Sequence, residues 1–410
     1  MREHQRYFTI EDDQGKLLNK FITVSNTRPE DEQVVIKGNQ RVIRARLSDA
    51  MFFWEEDQKI KLESNLETLK NVIYQAKLGS SSEKVERFTQ IARGLAERFE
   101  PTAVALTERA ARLAKCDLES KMVYEFPELQ GIMGREYSRL EGEDSRVSIA
   151  IFEHYLPTEA GGTLPSDNLG AFVSIADKID TICGCFGVGL IPTGSADPYA
   201  LRRCAIGVLN IILDRGYQVS IPELIEQNLG LLDAKLNRPR AEVKADVVEF
   251  IRLRLANMLT SRDFASDVVD AVLSARFDEP GDAVARVEAL AALKTAADFE
   301  PLAVAFKRVG NIIKGGVDNP VQADLFEADC ERALFAAIES ARQNIADQVN
   351  KGDYGAALQT IAALREPVDA FFDGVMVMAD DEKVKANRLA LLTQVAGLFA
   401  DIADFTRIAA

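Results

Sequence analysis

Leu389-Ala-Leu-Leu-Thr-Gln-Val-Ala-Gly-Leu-Phe-Ala-Asp-Ile-Ala403 decides the fold class. Within it Leu389, Leu392, Ala396, Phe399 and Ala403 fall at i, i+3, i+7, i+10 and i+14, one apolar stripe along a helix. The stretch ends an alanine-rich block that runs back to residue 282, and Asp278-Glu-Pro-Gly281 opens that block with a helix-start signature. A helical bundle is therefore predicted over 281–410. Working upstream, a helix at 241–259 and a charged segment at 233–240 form a helical linker over 233–280. From about Ala45 to Leu232 the apolar spacing of three and four returns, broken at Gly79-Ser-Ser-Ser, Phe126-Pro127, Gly161-Gly-Thr-Leu-Pro165 and Pro192-Thr-Gly-Ser. That is a second helical domain, 46–232. Only the beginning reads as sheet: Arg6-Tyr-Phe-Thr-Ile-Glu and Lys20-Phe-Ile-Thr-Val-Ser flank the turn residues Asp12-Asp-Gln-Gly15. Gln33-Val-Val-Ile adds a further β-like stretch before Gly38. A lone hairpin is marginal in water, so the β segment of 1–45 is expected to complete a sheet supplied from elsewhere. The fold class is mainly α, with a short N-terminal β segment.

Composition narrows the function. With 47% hydrophobic and 28% charged residues the 410-residue chain has the makings of two or three packed domains. Its longest uncharged apolar run, Thr181 to Gly194, has 14 residues and four glycines, too short for a membrane span. Met1-Arg-Glu-His-Gln-Arg is not followed by the apolar core of a secretion signal, so a cytoplasmic protein is expected. Five cysteines (Cys116, Cys183, Cys185, Cys204, Cys330) are an odd number without C-x-x-C spacing, which suggests neither a disulfide framework nor a zinc knuckle. The 49 basic and 64 acidic side chains leave a formal charge of −15, unsuited to indiscriminate coating of nucleic acid. Two histidines, His4 and His154, nearly exclude a Ser-His-Asp triad or a His-rich metal centre.

Three constellations remain. Asp117, His154, Asp177 and Asp180 stand in apolar helical surroundings, and two aspartates with a histidine can hold a divalent metal that activates water. Equally, such acids cap helices or form internal ion pairs. Arg41, Arg44 and Arg46, and Arg202-Arg203 behind Gly194-Ser-Ala-Asp-Pro-Tyr, suit phosphate; Asp197 is expected to cap a helix beginning at Pro198. Pairing with the surplus carboxylates is the alternative. Lys383, Lys385, Asn387 and Arg388, with Phe371 and Phe372 nearby in sequence, suit the unstacked bases of an RNA loop, or else a solvated helix over a phenylalanine core. No G-x-x-x-x-G-K-S/T phosphate loop occurs, and Gly184-Cys-Phe-Gly-Val-Gly189 reads as close helix packing or a turn.

Longer strings carry a resemblance. His4-Gln-Arg-Tyr-Phe, Lys20-Phe-Ile-Thr-Val-Ser-Asn26, Gly38-Asn-Gln-Arg-Val-Ile-Arg-Ala-Arg-Leu-Ser-Asp-Ala50, Glu125-Phe-Pro-Glu-Leu-Gln-Gly-Ile-Met-Gly134, Gly194-Ser-Ala-Asp-Pro-Tyr-Ala-Leu-Arg-Arg203 and Pro367-Val-Asp-Ala-Phe-Phe-Asp-Gly-Val-Met-Val-Met378 resemble the β subunit of the bacterial tetrameric glycyl-tRNA synthetase. Family members carry a further N-terminal region, so the resemblance implies a C-terminal fragment. It implies a glycine-tRNA ligase subunit without an adenylate-forming site or cofactor of its own, ATP and Mg being held by the α subunit. The partners implied are that α subunit, in a heterotetramer, and tRNA(Gly); no membrane is involved. The central region resembles the HD phosphohydrolase fold, with Cys116-Asp117 where the family has His-Asp and Asp177 as its final aspartate, which makes Asp117, His154, Asp177 and Asp180 vestigial metal candidates and leaves a degenerate scaffold for the acceptor side of tRNA. The last domain resembles the helical anticodon-binding bundle of arginyl-type synthetases. On that reading Arg41, Arg44, Arg46, Arg202 and Arg203 face the acceptor side or serve structure, and Lys385, Asn387 and Arg388 face the anticodon. A metal-dependent phosphohydrolase and a pure subunit-assembly scaffold are the competing readings.

Overall fold

The structure, a computed structural model, describes residues 7–296, 299–313 and 319–409. It divides into two compact units, one ending at Ile60 and one beginning at Lys61. His4 lies outside the described residues.

In the first unit Tyr7–Glu11 pairs antiparallel with Leu17–Thr23, in the register Tyr7↔Thr23, Phe8↔Ile22, Thr9↔Phe21. Asp12 closes the turn: its carboxylate accepts from the Gln14 and Lys16 amides at 3.0 and 2.9 Å, and Gly15 takes the left-handed conformation (φ 75°) that glycine adopts without strain. The expected β stretch at Gln33-Val-Val-Ile is instead the first turn of a long helix, Glu32–Asp57. Asp31 explains the difference. Its side chain accepts from the Gln33 amide at 2.8 Å and caps the helix, and once the helix is started the weak strand preference of Val34, Val35 and Ile36 is overridden. The helix runs through position 45, and Tyr7 ties the hairpin to it by donating to Asn39 Oδ1 at 2.8 Å. None of its residues is buried; Val34, Ile36, Val42, Leu47, Met51 and Phe52 are exposed.

The second unit is built around the helix Asn168–Gly187, in which every residue except Asn168 and Thr181 is buried. A helix buried on nearly every side must be surrounded, and its charged residues Asp177, Lys178 and Asp180 must find partners on the neighbours. Around it pack Ser81–Phe99, Val104–Leu113, Ser145–Glu153, Leu201–Arg215, Ile221–Leu232 and Arg240–Thr260. Gly184 and Gly187 are glycines for lack of room: a Cβ there would stand 2.9 Å from Leu78 and 2.4 Å from Leu236. The glycine-rich string is thus close packing, as one of its readings had it.

Beyond Ser266–Ala275, the helices Pro280–Lys294, Phe299–Ile312, Asp329–Asn350, Tyr354–Ala362, Arg365–Gly374 and Glu382–Gly397 form the expected bundle. Phe306, Phe399 and Phe405 meet at its centre with ring centroids 5.0 to 5.5 Å apart. Arg286 is entirely enclosed and donates to the carbonyls of Val272, Arg276 and Ile402 at 3.1, 2.8 and 3.2 Å. It stitches the bundle to the preceding helix. No helix among the described residues is long and apolar enough to cross a membrane.

Candidate functional site

Helical spacing sets up the most charged place in the interior. Lys84 and Arg87 are one turn apart on Ser81–Phe99, Asp177 and Asp180 one turn apart on Asn168–Gly187, and the two pairs face each other. Arg87 meets Asp180 with two hydrogen bonds of 2.7 and 3.0 Å, backed by Asn228 Nδ2 at 3.4 Å. Lys84 Nζ lies 2.9 Å from Asp177 Oδ1 and donates to the Asp177 carbonyl (3.1 Å), Asp180 (3.3 Å) and Thr181 Oγ1 (2.7 Å). From the turn after Val104–Leu113 comes Lys115, whose ammonium sits 2.8 Å from His154 Nε2, 3.1 Å from Asp177 Oδ2 and 4.1 Å from the centre of the Tyr155 ring. Lys178 Nζ is ringed by neutral oxygen: the carbonyls of His154 and Leu156 at 3.1 and 2.9 Å and Ser174 Oγ at 2.7 Å.

Electrostatics follow from this packing. Burial opposes the charge of Asp177, yet Lys115 and Lys84 outweigh it and hold the carboxyl well below its usual range. Burial also opposes the charge of Lys84, and Asp177 with Asp180 reverses the effect, so its pKa is raised. Lys178, without a paired carboxylate, is pushed down to about 8 by burial. His154 is held far below 6.5 by burial and then by the Lys115 charge. A neutral imidazole fits its partners: the hydrogen on Nδ1 donates to the Ile151 carbonyl at 2.6 Å, leaving the Nε2 lone pair to accept from Lys115. Asp117 is raised to about 6 by burial, against the opposing pull of the Gly131 and Gly134 amides at 2.5 and 3.0 Å.

These contacts test the metal suggested by the HD resemblance, and the residues do not fit it. A metal needs the His154 lone pair and the free edges of Asp177 and Asp180. Lys115 takes the lone pair, Lys115, Lys84 and Arg87 stand against the two carboxylates as counter-charges, and Asp117 Oδ2 caps the helix Ile132–Leu140 through its first amides, while among the described residues Asp117 Oδ1 and Asp177 Oδ1 accept no hydrogen bond. Among the described residues no group of three or more His, Cys, Asp or Glu is arranged to hold an ion.

Lys84, Lys115, His154, Asp177 and Lys178, but not Arg87, Asp117 or Asp180, floor an open cleft of about 620 Å³, walled by Tyr74, Phe152, Tyr155, Tyr199 and Arg203 among others. Here the structure separates Arg202 from Arg203. Their helix begins at Leu201, not at Pro198, because Ala200 turns left-handed (φ 54°); Asp197 still caps it, reaching to the Leu201 and Arg202 amides at 2.8 and 2.9 Å. Arg202 folds back onto the Gly194 carbonyl at 2.6 Å. Arg203 is exposed at the cleft and, among the described residues, makes no ion pair. Arg41 and Arg44 are exposed on the long helix of the first unit, and Arg46 is half-buried there.

In the bundle two of the anticodon-side residues prove to be internal. Arg388 is 5% exposed, bonded to the enclosed Glu331 at 2.8 Å, to Glu327 at 2.9 Å and to the Met376 carbonyl at 3.1 Å. Asn387 is 4% exposed and exchanges two hydrogen bonds with the Gln322 backbone. They turn inward because the stripe of Glu382–Gly397 that packs on the core includes their positions. Phe371 and Phe372 are core as well. Lys385 stays half-buried beside Glu382 at 3.2 Å, and nearby the surface offers Met376, Met378 and an Arg308 guanidinium stacked 4.0 Å above the Phe372 ring. Sequence reasoning missed the cations Lys84, Arg87, Lys115 and Lys178, although Lys178 adjoins Asp177 and Lys115 lies two residues before Asp117.

Comparison with known proteins covers nearly the whole chain. A family model described as glycyl-tRNA synthetase beta subunit matches residues 1–274, and one described as DALR anticodon binding domain matches 302–410. Proteins named Glycine–tRNA ligase beta subunit from Syntrophotalea carbinolica and Geobacter metallireducens are 66% and 60% identical over 410 residues, all of this chain. The chain spans 60% of the length of these relatives.

Proposed function

From a chain that belongs to the glycyl-tRNA synthetase beta subunit family, carrying a DALR anticodon-binding domain, we propose the tRNA-holding part of a cytoplasmic glycine-tRNA ligase. Its task is positional. Phosphate contacts fix tRNA(Gly), the bundle meets the anticodon loop, and the terminal adenosine is thereby delivered to an α subunit that binds glycine, ATP and Mg, in a heterotetramer. No adenylate chemistry is assigned to this chain.

The observation that carries the reading is the anticodon-binding match over 302–410, on a bundle whose surface sets Arg308, Met376 and Met378 beside a buried core. An exposed guanidinium stacked on an aromatic ring, and flexible apolar side chains on the same domain's surface, suit unstacked bases. With a net charge of −15 the affinity should be modest and fall steeply with salt. The test is binding of tRNA(Gly), and of the same tRNA with a changed anticodon, at two salt concentrations, to wild type and to Arg308→Ala. Anticodon-dependent binding weakened by the substitution supports the reading. Equal binding of both tRNAs defeats it and favours an assembly scaffold, the second reading, for which the exposed Val34, Ile36, Val42 and Leu47 speak.

A further inference from the structure

Arg254 stands half-buried on Arg240–Thr260 with its guanidinium 4.9 Å above the Phe250 ring, and the fold gives it nothing else. Among the described residues it makes no hydrogen bond and no ion pair, and its Nε is shut away from solvent without an acceptor. Its helix packs against Leu201–Arg215, which brings the charge of Arg202 close. Burial and then Arg202 lower the pKa of Arg254, with Asp197 opposing. Asp197 is already engaged, since its two oxygens accept from the Leu201 and Arg202 amides at 2.8 and 2.9 Å. Arg202 itself is turned to the Gly194 carbonyl at 2.6 Å. Neither guanidinium has a carboxylate within salt-bridge distance among the described residues, in a chain of 64 acidic and 49 basic side chains. Two like charges are thus set near each other while surplus acid lies elsewhere on the surface. A guanidinium that has lost part of its hydration and gained no acceptor in return is incomplete until a carboxylate reaches it from outside the chain.

The surroundings indicate what carries that carboxylate. Leu253, beside Arg254 in the chain, and Ile191, in the loop that Arg202 holds through Gly194, are both exposed aliphatic side chains. Phe250 is buried under the guanidinium, and Tyr199 lines the cleft. A fork of donors with aliphatic surface matches a protein interface, where arginine is enriched and grips carboxylate with two parallel hydrogen bonds; nucleic-acid strands are held on exposed ring faces instead. We propose that Arg254, together with Arg202, Leu253 and Ile191, is a docking point for the α subunit, which meets it with an aspartate or glutamate set among apolar residues. This rests on the reading of the chain as the tRNA-holding part of a glycine-tRNA ligase, and adds to that reading a surface that uses neither the cleft nor the anticodon bundle. On a chain of net charge −15 a cluster of unpaired cations also selects where an acidic face approaches, because every other large part of the surface repels it.

The experiment is equilibrium binding of the whole chain to the glycyl-tRNA synthetase α subunit of the same organism at two salt concentrations, with tRNA(Gly) binding measured in parallel. Wild type is compared with Arg254→Ala, Arg254→Glu and Arg252→Ala, the last replacing an arginine of the same helix that is already paired with Glu249 at 2.7 and 2.8 Å. The expected result is α binding weakened about tenfold or more by Arg254→Ala, further by Arg254→Glu and by salt, and left unchanged by Arg252→Ala, with tRNA binding the same throughout. Replacing Arg254 breaks no hydrogen bond of the fold, and thermal melting verifies that the variants stay folded. Equal α binding by wild type and Arg254→Glu overturns the docking point alone. No α binding by the wild-type chain overturns it together with the delivery of tRNA to an α subunit by this part of the protein. Loss of tRNA binding in Arg254→Glu with α binding intact assigns the arginine to RNA and likewise overturns the proposal.

Discussion

Lys115 Nζ stands 2.8 Å from His154 Nε2, and this contact decides what the central domain can do. An imidazole whose lone pair accepts from an ammonium is not free to hold a metal. Replacing Lys115 by Met should cost about 3 kcal/mol, because one partner of a buried cluster is withdrawn from Asp177 and His154. Urea unfolding measures the loss. A change below about 0.5 kcal/mol would mean that the ammonium does not sit where the structure puts it.

Between about pH 6.5 and pH 4 two buried groups, His154 and Asp117, act on stability in opposite directions. His154 has a lowered pKa, so the unfolded chain takes up its proton first and stability falls as pH drops through about 6.5. Asp117, raised to about 6, does the reverse: the folded chain takes the proton first, and stability is regained between about 6 and about 4. The two slopes, each up to ~1.4 kcal/mol per pH unit, nearly cancel in that window. Asp117→Asn should therefore make stability fall more steeply from pH 6 to pH 4 than in wild type, as read by thermal melts; parallel profiles would show that Asp117 does not titrate there.

On the alkaline side Lys178 controls the slope. Its pKa near 8 lies below that of the unfolded chain, about 10.4, so stability contributed at this site rises with pH between those values. Lys178→Met removes the rise. Denaturation at pH 8 and pH 10 compares the two proteins, and an unchanged difference for the variant would refute the assignment.

The buried Arg388–Glu331 pair should dominate the stability of the bundle. Arg388→Ala leaves Glu331 enclosed and unpaired, at a cost of about 3–5 kcal/mol, whereas Arg388→Met combined with Glu331→Leu should recover much of it. If Arg388→Ala instead weakened tRNA binding with no loss of stability, the arginine would be a surface contact after all.

Gly187→Ala would place a methyl 2.4 Å from Leu236 and should destabilise by about 1–3 kcal/mol. Adding Leu236→Ala makes room, and a double variant no more stable than Gly187→Ala alone would contradict this packing.

What was legible in the sequence was whatever depends on period and on local chemistry. The turn at Asp12 to Gly15 and the start at Pro280 settle within a few residues; the stripe from Leu389 holds only in part, because its helix ends at Gly397, leaving Phe399 and Ala403 buried beyond it and Leu389 half-buried. What escaped depends on which face of a helix is turned inward and on partners far away in the chain. Arg388 looks like a surface cation until Glu331, 57 residues earlier, is brought against it. Lys84 and Asp177 are 93 positions apart, and nothing local to either says that they meet. Gln33-Val-Val-Ile misled for the opposite reason: a local cap at Asp31 outweighed the β-branched composition that was visible.

Arg286 reaches three carbonyls on two sides of the junction, and Asp404 N closes the same seam by bonding the Ala271 carbonyl at 2.9 Å. The end of the chain is thereby riveted back onto the helix that leads into the bundle. Whatever loosens the last residues of the chain therefore loosens the helix Ser266–Ala275 as well, and the two should open together rather than fray one after the other.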